Sequence, residues 1–589
     1  MEKWIIQMFV LVAINFFTSC GINAATGEPE RAINSKIGTE EKLSIVQRLK
    51  ASAHLSVEEK VNLYYALKKD SAQYYNFGNE DELNMFGYAY LWDNKIEEAI
   101  VIFKLLVAEF PTSSNAYDSL GEAYLKNGNL ELAKKNYEKS LALNPENFNA
   151  EDQIEIIMFP DKVPLKPTEK FEQIYLAEEY KQDLDQLGNT LLKVHPNALK
   201  FISKENFWQA IESKKALITN STTFGEFAWM CSEIIANVHC SHTNMGSFNF
   251  ETSLLMPAQK FPLKTYWVND KLYVVDAMNN GKSINVRDEI VSINGVKVSI
   301  IMSDIYKHIA SQGYIKTTKN RMFNMWSSTL IAYAFNFLET YSVKVAGSNK
   351  EIYLQPATAI AEPFFDESLT YANSVLDLEL MPDNSAAYLT IASFNHYRWN
   401  DFDVFKNFID SSFQVINRNK IDNLIIDLRF NGGGSQSASM HLLQYLLDKP
   451  FKYYSTVQFE GKEGKIEGEE LVYPFENRYK GNCYFIIDGH GNSTTGHFMS
   501  IVKHFDVGTI VGEELGSNQF CSAGMTTCRL SNTKLVYYVA NNTHESLAIT
   551  LPDETGILPD YYISQSIDEY LQKIDVVRDF TIELVKKAK

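Results

Sequence analysis

The sequence predicts a multidomain chain: an all-α N-terminal region, a small β-rich middle module and an α/β core towards the C-terminus. Three observations carry this reading. A helix-pair pattern recurs with a period of 34 residues between positions 81 and 150. Short strand patterns with an Asn294-Gly295 turn fall between 255 and 360. Further on, two apolar strands each run through a glycine turn into a helical pattern. The 589 residues are 45% hydrophobic, ample for several cores, and length alone suggests about three or four domains.

The first 25 residues are set aside as a signal peptide, because Lys3 precedes an apolar run from Trp4 to Phe17 broken only by Gln7 and Asn15. That run is too short to span a bilayer. The expectation is export, to the bacterial periplasm or cell envelope. Phe17-Thr18-Ser19-Cys20 resembles a bacterial lipobox with an atypical Phe, which implies a lipid anchor at Cys20, while Ile22-Asn23-Ala24 offers an ordinary cleavage site. No later apolar run approaches a membrane span. Lys+Arg 55 against Asp+Glu 73 gives a net charge of -18, which argues against a nucleic-acid partner and leaves no polybasic membrane patch.

Residues 26–80 read as a linker and capping helices, and 81–150 as two tetratricopeptide repeats. Leu83, Phe86, Gly87, Tyr90, Ala99, Phe103 and Pro111 recur as Tyr117, Leu120, Gly121, Tyr124, Ala133, Tyr137 and Pro145. The small residues let paired helices approach and the aromatics fill the space between turns. Two repeats are fewer than a solenoid needs, so helices from about 40 to 75 and from 165 are expected to cap them. The repeats serve either as a brace or as a groove for a protein partner.

Residues 165–248 form a helical subdomain ending in Ser241-His242-Thr243. His239-Cys240-Ser241-His242 could be read as a metal pair, but no second Cys/His cluster completes a site. Between 255 and 360, Lys271–Val275 and Val286–Val298 read as strands with an Asn-Gly turn, and a helical, aromatic-rich insert with Trp326, Tyr333 and Phe335 packs a core.

The core, 380–589, holds the chemistry-bearing segments. Asn423-Leu-Ile-Ile-Asp427-Leu-Arg429-Phe-Asn431-Gly432-Gly433-Gly434-Ser435 is a strand and glycine turn ahead of Met440, Leu442, Leu443 and Leu446. Cys483–Asp488 is a second strand, followed by Gly489-His490-Gly491-Asn492-Ser493 and an apolar face at Phe498, Ile501, Val502 and Phe505. Such turns gather reactive groups at the carboxyl ends of parallel strands. Ser493 stands where unpaired N–H groups and the helix dipole favour negative charge. Taken alone it is equally a helix cap. A phosphate loop lacks its Gly-Lys-Ser/Thr, and an α/β-hydrolase elbow its second glycine, since Thr495 stands there.

These residues resemble the C-terminal-processing-peptidase and tricorn-core family of serine peptidases. The family's Asp-x-Arg-x-Asn-x-Gly-Gly turn matches Asp427, Arg429, Asn431, Gly433 and Gly434, and its nucleophile segment matches Ser493 and Phe498. Val511-Gly512-Glu513, the signature Gly556-Ile557-Leu558-Pro559-Asp560 and Ser241-His242-Thr243 complete five matches in order. The resemblance implies an α/β core of the ClpP/crotonase-like type and a PDZ-like middle module, of which only the Asp288–Gly295 strand and turn match. It further implies a serine endopeptidase acting on peptide or protein substrates without metal or organic cofactor.

Within that family the Ser/Lys branch places its lysine about 25 residues past the serine, where this chain has Gly516-Ser517-Asn518-Gln519, and Lys503 lies on the nucleophile helix itself. The tricorn-like branch implies Ser493 as nucleophile and His242 as general base, with Ser241 and Glu554 as supporting groups. Asp553 and His544 lie close enough to Glu554 in sequence to be confused with it, and Glu554 is also readable as a solvated loop charge. Backbone N–H groups of Gly433 and Thr494 are the expected oxyanion donors. Thr494, Thr495, Leu515 and Ser517 depart from the residues usual in the family, which alters the cleft or marks a relative without activity. The alternatives are an inactive peptidase-fold binding protein and a tetratricopeptide scaffold. Cys521 and Cys528 flank a hairpin and could pair in an oxidising compartment.

Overall fold

The computed structural model describes residues 42–160, 167–245, 255–360, 362–364, 375–382, 385–395, 402–459 and 468–587. The signal peptide and Cys20 lie outside the described residues. The chain divides into two compact units, one of residues 25–164 and one containing residues 165–589.

The first unit is helical. Helices Glu80–Trp92 and Ile96–Glu109 form one pair and Ser114–Lys126 and Leu130–Leu143 the next. Asn79, Ser113 and Asn129 cap three of them, each side chain accepting a backbone N–H three residues on. The repeated glycines have a packing reason. A Cβ on Gly87 would lie 2.5 Å from the Phe103 ring, and one on Gly121 would lie 3.0 Å from Tyr137. Gly87→Ala is therefore expected to overpack this contact and cost about 1 to 3 kcal/mol. Hydrogen exchange of helices Glu80–Trp92 and Ile96–Glu109 in the full chain measures the loss. Ile45–Ala51 and Val57–Asp70 precede the repeats, and Phe148–Met158 follows the last of them. The segment from residue 165 belongs to the other unit.

The second unit begins with helices Ala177–Val194, Lys204–Lys215 and Phe224–Ala236, whose apolar faces meet through Leu184, Leu187, Phe207, Phe227 and Cys231. An antiparallel sheet follows: Lys264–Val268, Lys271–Asp276, Glu289–Ile293, Tyr341–Val345 and Ile352–Leu354. Asn294 and Gly295, both at positive φ, turn the chain so that Ile293 pairs with Val296. The expected helical insert is two helices, Val298–His308 and Lys316–Ala334, with Trp326 and Tyr333 buried and Phe335 partly so.

The core sheet has six strands in the order Tyr561–Tyr562, Thr509–Gly512, Asn482–Ile487, Asn423–Asp427, Ala387–Ile391, Leu376–Leu380. All neighbours are parallel except the last pair. The strands Asn423–Asp427 and Ala387–Ile391 are buried along their whole length, and Asn482–Ile487 is buried from Cys483 on, as apolar runs in a covered parallel sheet should be. Parallel register sets Asp427 beside Ile486. Both glycine-bearing turns thus leave the same edge of the sheet.

A hairpin of the core, Thr526–Arg529 with Val536–Val539, is packed on the helical segment rather than on the core sheet, with Leu530, Leu535, Tyr537 and Val539 in the same apolar cluster as Leu184 and Phe227. Asp183 receives the N–H groups of Asn532 (3.0 Å) and Thr533 (2.8 Å) at the hairpin's turn. Cys521 and Cys528 are both free, on strands of two different sheets, so the pairing considered from sequence does not occur. No helix among the described residues is long and apolar enough to cross a membrane.

Candidate active site

Ser493 joins the strand Asn482–Ile487 to the helix Thr494–His504 with φ 56° and ψ -124°. L-residues rarely hold such a conformation, at a cost of roughly 1 to 3 kcal/mol, unless their surroundings over-determine it. Here they do. Asn492 donates its N–H to Asn431 O at 3.2 Å, Thr495 and Gly496 donate theirs to Asn492 O (3.1 Å) and Ser493 O (2.8 Å), and Thr495 Oγ1 donates to Asn431 O at 2.8 Å. The Ser493 hydroxyl makes no capping bond to its helix, so it is not held in the role a helix-initiating serine usually fills. Thr494 N–H, one of the two expected oxyanion donors, meets no acceptor among the described residues.

The glycine turn lies directly against this serine. A Cβ on Gly433, which has φ 100°, would come within 2.7 Å of both Ser493 Cβ and Asn492 O, so only glycine permits the approach. Gly433 N–H, the other expected oxyanion donor, is given to Asn431 Oδ1 at 3.0 Å. In this conformation it is engaged. Asn431 also donates from Nδ2 to Ile391 O at 3.0 Å, while Arg429 forks between Asp427 (2.6 Å) and Asp575 (2.7 Å). The motif's charged and amide residues thus lock the turn.

The Ser241–His242 segment is carried to the same place by the hairpin. Asn244 N–H donates to Tyr538 O at 3.1 Å and Tyr538 N–H to Asn244 O at 2.8 Å, while Ala540 N–H donates to Thr243 Oγ1 at 3.0 Å. Ser241 Oγ–H then donates to Asn492 Oδ1 at 2.9 Å, one residue before Ser493. His242 is buried, with Nδ1 3.4 Å from Ser241 Oγ and 3.6 Å from Cys521 Sγ. Burial pushes its pKa down to about 4, leaving a neutral imidazole at neutral pH. Cys521 bridges the two sides: burial raises its thiol pKa, Cys240 adds to this, and a hydrogen bond with the Ser493 side chain pulls it back. His195, His497 and His544 are also buried and within electrostatic reach of His242.

Glu554 is not brought to His242. Its side chain is exposed and has no partner among the described residues, and it is the backbone carbonyl that receives Tyr314 N–H at 2.8 Å. The reason is local: the Glu554 and Asp553 carbonyls lie close over Gly313, which fixes the loop by its main chain. Asp553 pairs with Lys200 at 2.5 Å, and His544 faces Tyr454. Lys503 pairs with Asp560 at 2.5 Å, away from the serine's partners. His239 donates from Nδ1 to Gly313 O at 2.9 Å, so His239 and His242 face different partners.

The four departures have structural uses. Thr494 Oγ1 donates to Gly434 O at 2.6 Å, and Thr495 secures Asn431. Leu515 packs over Gly491, and Ser517 Oγ donates to Gly491 O at 3.1 Å. All four brace the turn at Ser493. Sequence reasoning missed Asn492 and Asp488. Asp488 receives N–H groups from Phe430 (3.3 Å) and His490 (3.0 Å). Burial raises its pKa, but the His490 hydrogen bond and charge, with Arg321 and Arg429, bring it to about 2. A signal existed for it, since Asp488 ends its strand as Asp427 ends the neighbouring one. None existed for Asn492, whose partner is remote in sequence.

Residues 385–563 match the model described as peptidase family S41, and residues 114–147 match the tetratricopeptide repeat. No curated protein matches the chain. Among solved structures, mature CPAF is 14% identical with a TM-score of 0.46, covering 70% of this chain and 98% of its own. The tricorn protease is 14% identical with a TM-score of 0.31, covering 70% of this chain and 37% of its own. A lipoprotein from Streptococcus agalactiae is 11% identical with a TM-score of 0.29, covering 71% of this chain and 100% of its own.

Proposed function

We propose, from the premise that this chain is a serine-type peptidase with a family S41 core at residues 385–563, that it hydrolyses peptide bonds through an acyl-enzyme on Ser493. His242 is the general base, Ser241 a supporting hydroxyl, and Thr494 N–H an oxyanion donor. One observation carries this reading: the hydrogen bond from Ser241 to Asn492 (2.9 Å), which ties the histidine segment to the residue preceding the serine. A serine hydroxyl is a poor nucleophile until a neighbouring base accepts its proton. With Nδ1 turned to Ser241 and Cys521, Nε2 is the nitrogen left for that task. It takes the Ser493 proton as Oγ attacks the carbonyl, returns it to the leaving amine, and then draws a proton from the water that attacks the ester. Glu554 has no part in this cycle.

The chain is further proposed to be exported by its N-terminal signal, with a lipid anchor at Cys20, and to use its repeats to hold a protein partner. The antiparallel sheet of residues 264–354 is proposed to be the PDZ-like module that presents substrate. A second reading, a binding protein of the same fold, is favoured by the Gly433 N–H being held by Asn431. A fluorophosphonate probe separates the two. The peptidase reading expects covalent labelling of the full chain, mapped to Ser493 by mass spectrometry and abolished by Ser493→Ala. A folded wild-type chain that takes up no probe favours the binder.

A further inference from the structure

We propose that Asn492 is a positioning residue of this site, whose side-chain oxygen fixes the proton of Ser241 and through it the tautomer of His242. Ser241 has one hydroxyl hydrogen, and it points to Asn492 Oδ1 at 2.9 Å. The Ser241 oxygen therefore meets His242 Nδ1 (3.4 Å) with lone pairs only. The Cys521 thiol donates towards Ser522 O at 3.7 Å, so its sulfur too presents lone pairs to Nδ1, at 3.6 Å. A ring nitrogen between two acceptors carries the hydrogen. The lone pair of the imidazole is then on Nε2.

Without Asn492 Oδ1 the Ser241 hydroxyl is free to rotate and donate to Nδ1. The ring hydrogen then moves to Nε2, the wrong tautomer for a base, and loss of the correct tautomer is among the most damaging single changes in catalytic triads. Other triads use a carboxylate on the outer side of the base. Here the glutamate expected from sequence is exposed and unpartnered among the described residues, and a neutral amide oxygen holds the acceptor position. Asn492 can do this with accuracy because its own backbone is held at both ends, by Asn431 O (3.2 Å) and by Thr495 N–H (3.1 Å). The turn that places Ser493 thus also sets the proton on its partner.

The catalytic consequence rests on the peptidase reading, whereas the tautomer is measurable without any activity. The experiment uses the full chain with 15N-labelled histidine, with His242 assigned by its loss in His242→Gln, and compares wild type with Asn492→Ala, Asn492→Leu, Asn492→Asp and Ser241→Ala. The expected result is an Nδ1–H tautomer in wild type and a shift towards Nε2–H in Asn492→Ala. With it, the rate of fluorophosphonate labelling falls at least about tenfold. Asn492→Asp, which keeps an acceptor, restores the Nδ1–H form and recovers the labelling rate. Should Asn492→Ala fail to fold, Asn492→Leu, of similar volume and without an acceptor, must show the same tautomer change, whereas Ser241→Ala, which removes the hydroxyl that would donate to Nδ1, leaves the ring as Nδ1–H. An Nδ1–H imidazole persisting in a folded Asn492→Ala or Asn492→Leu chain overturns the proposal, as does a shift to Nε2–H in Ser241→Ala or an Asn492→Asp chain that behaves like Asn492→Ala. A wild-type chain that shows the tautomer change on substitution but takes up no probe supports the relay and sinks the peptidase reading alone.

Discussion

His242→Ala is expected to lower the rate of Ser493 acylation by roughly four to six orders of magnitude, the loss seen when a triad loses its base. The variant should remain folded, since the substitution removes an ionisable ring from a buried site and leaves the Asn244–Tyr538 backbone pair untouched. The pH profile of wild type carries the signature of the same residue. Burial holds His242 at about 4, so the ring is neutral, and competent as a base, at every pH above that value. Acylation measured by probe uptake should stay level from neutral pH down to about 5, where an exposed histidine near 6.5 would already be protonated. The groups facing the ring are neutral under these conditions: buried His195, His497 and His544, and the Cys521 and Cys240 thiols. A folded His242→Ala chain that reacts within about tenfold of wild type removes this histidine from the mechanism.

The second large effect is on stability. Burial lowers the pKa of His195, His242 and His544 to about 4 and of His308 and His497 to about 3, and it also lowers His239 and His441. In the unfolded chain each returns to about 6.5, so between these values unfolding takes up protons. The stability associated with the neutral rings is complete above about pH 6.5 and is lost as the pH falls towards 4. Each proton contributes a slope of about 1.4 kcal/mol per pH unit, so five such histidines give about 7 kcal/mol per unit near pH 5. That is comparable to the whole stability of a typical domain. Asp488, held at about 2, acts only at lower pH. Denaturant melts of the full chain at pH 7.5, 6.0 and 5.0 measure the slope. His497→Gln should reduce it by about one proton's share, and a stability that does not change between pH 7 and 5 contradicts the burial of these rings.

Much of the architecture was legible because it is written in local pattern. Period-34 positions such as Gly87 and Phe103 meet as paired small and large residues, and the apolar strands Asn423–Asp427 and Asn482–Ile487 became parallel neighbours with their turns on one edge. Asn294-Gly295 turned as its dipeptide requires. What was not legible depends on contacts between segments far apart in the chain. Nothing near residue 530 announces that its hairpin will leave the core sheet to pack on Leu184 and Phe227. Cys521 invited pairing with Cys528 by proximity in sequence, but its neighbours proved to be His242 and Ser493, from two other segments. Glu554 occupies a place implied by resemblance, yet its loop is fixed through its neighbours, by Tyr314 N–H on Glu554 O and by the Asn518 side chain on Asp553 O and Thr555 O. Asn492 gained its partner only when residues 241 and 492 came together.

The strands bridged at Asn244 and Tyr538 also impose a timetable on biosynthesis. A nascent chain emerging from the ribosome carries the imidazole early, but the β-ribbon that docks it is made only after the alcohol and most of the sheet have been translated. A chain that stops before this ribbon lacks the strand that docks Asn244, and on the proposed mechanism it does not assemble the site. On the proposed mechanism, assembly of the site is thereby tied to synthesis of the chain through Val539.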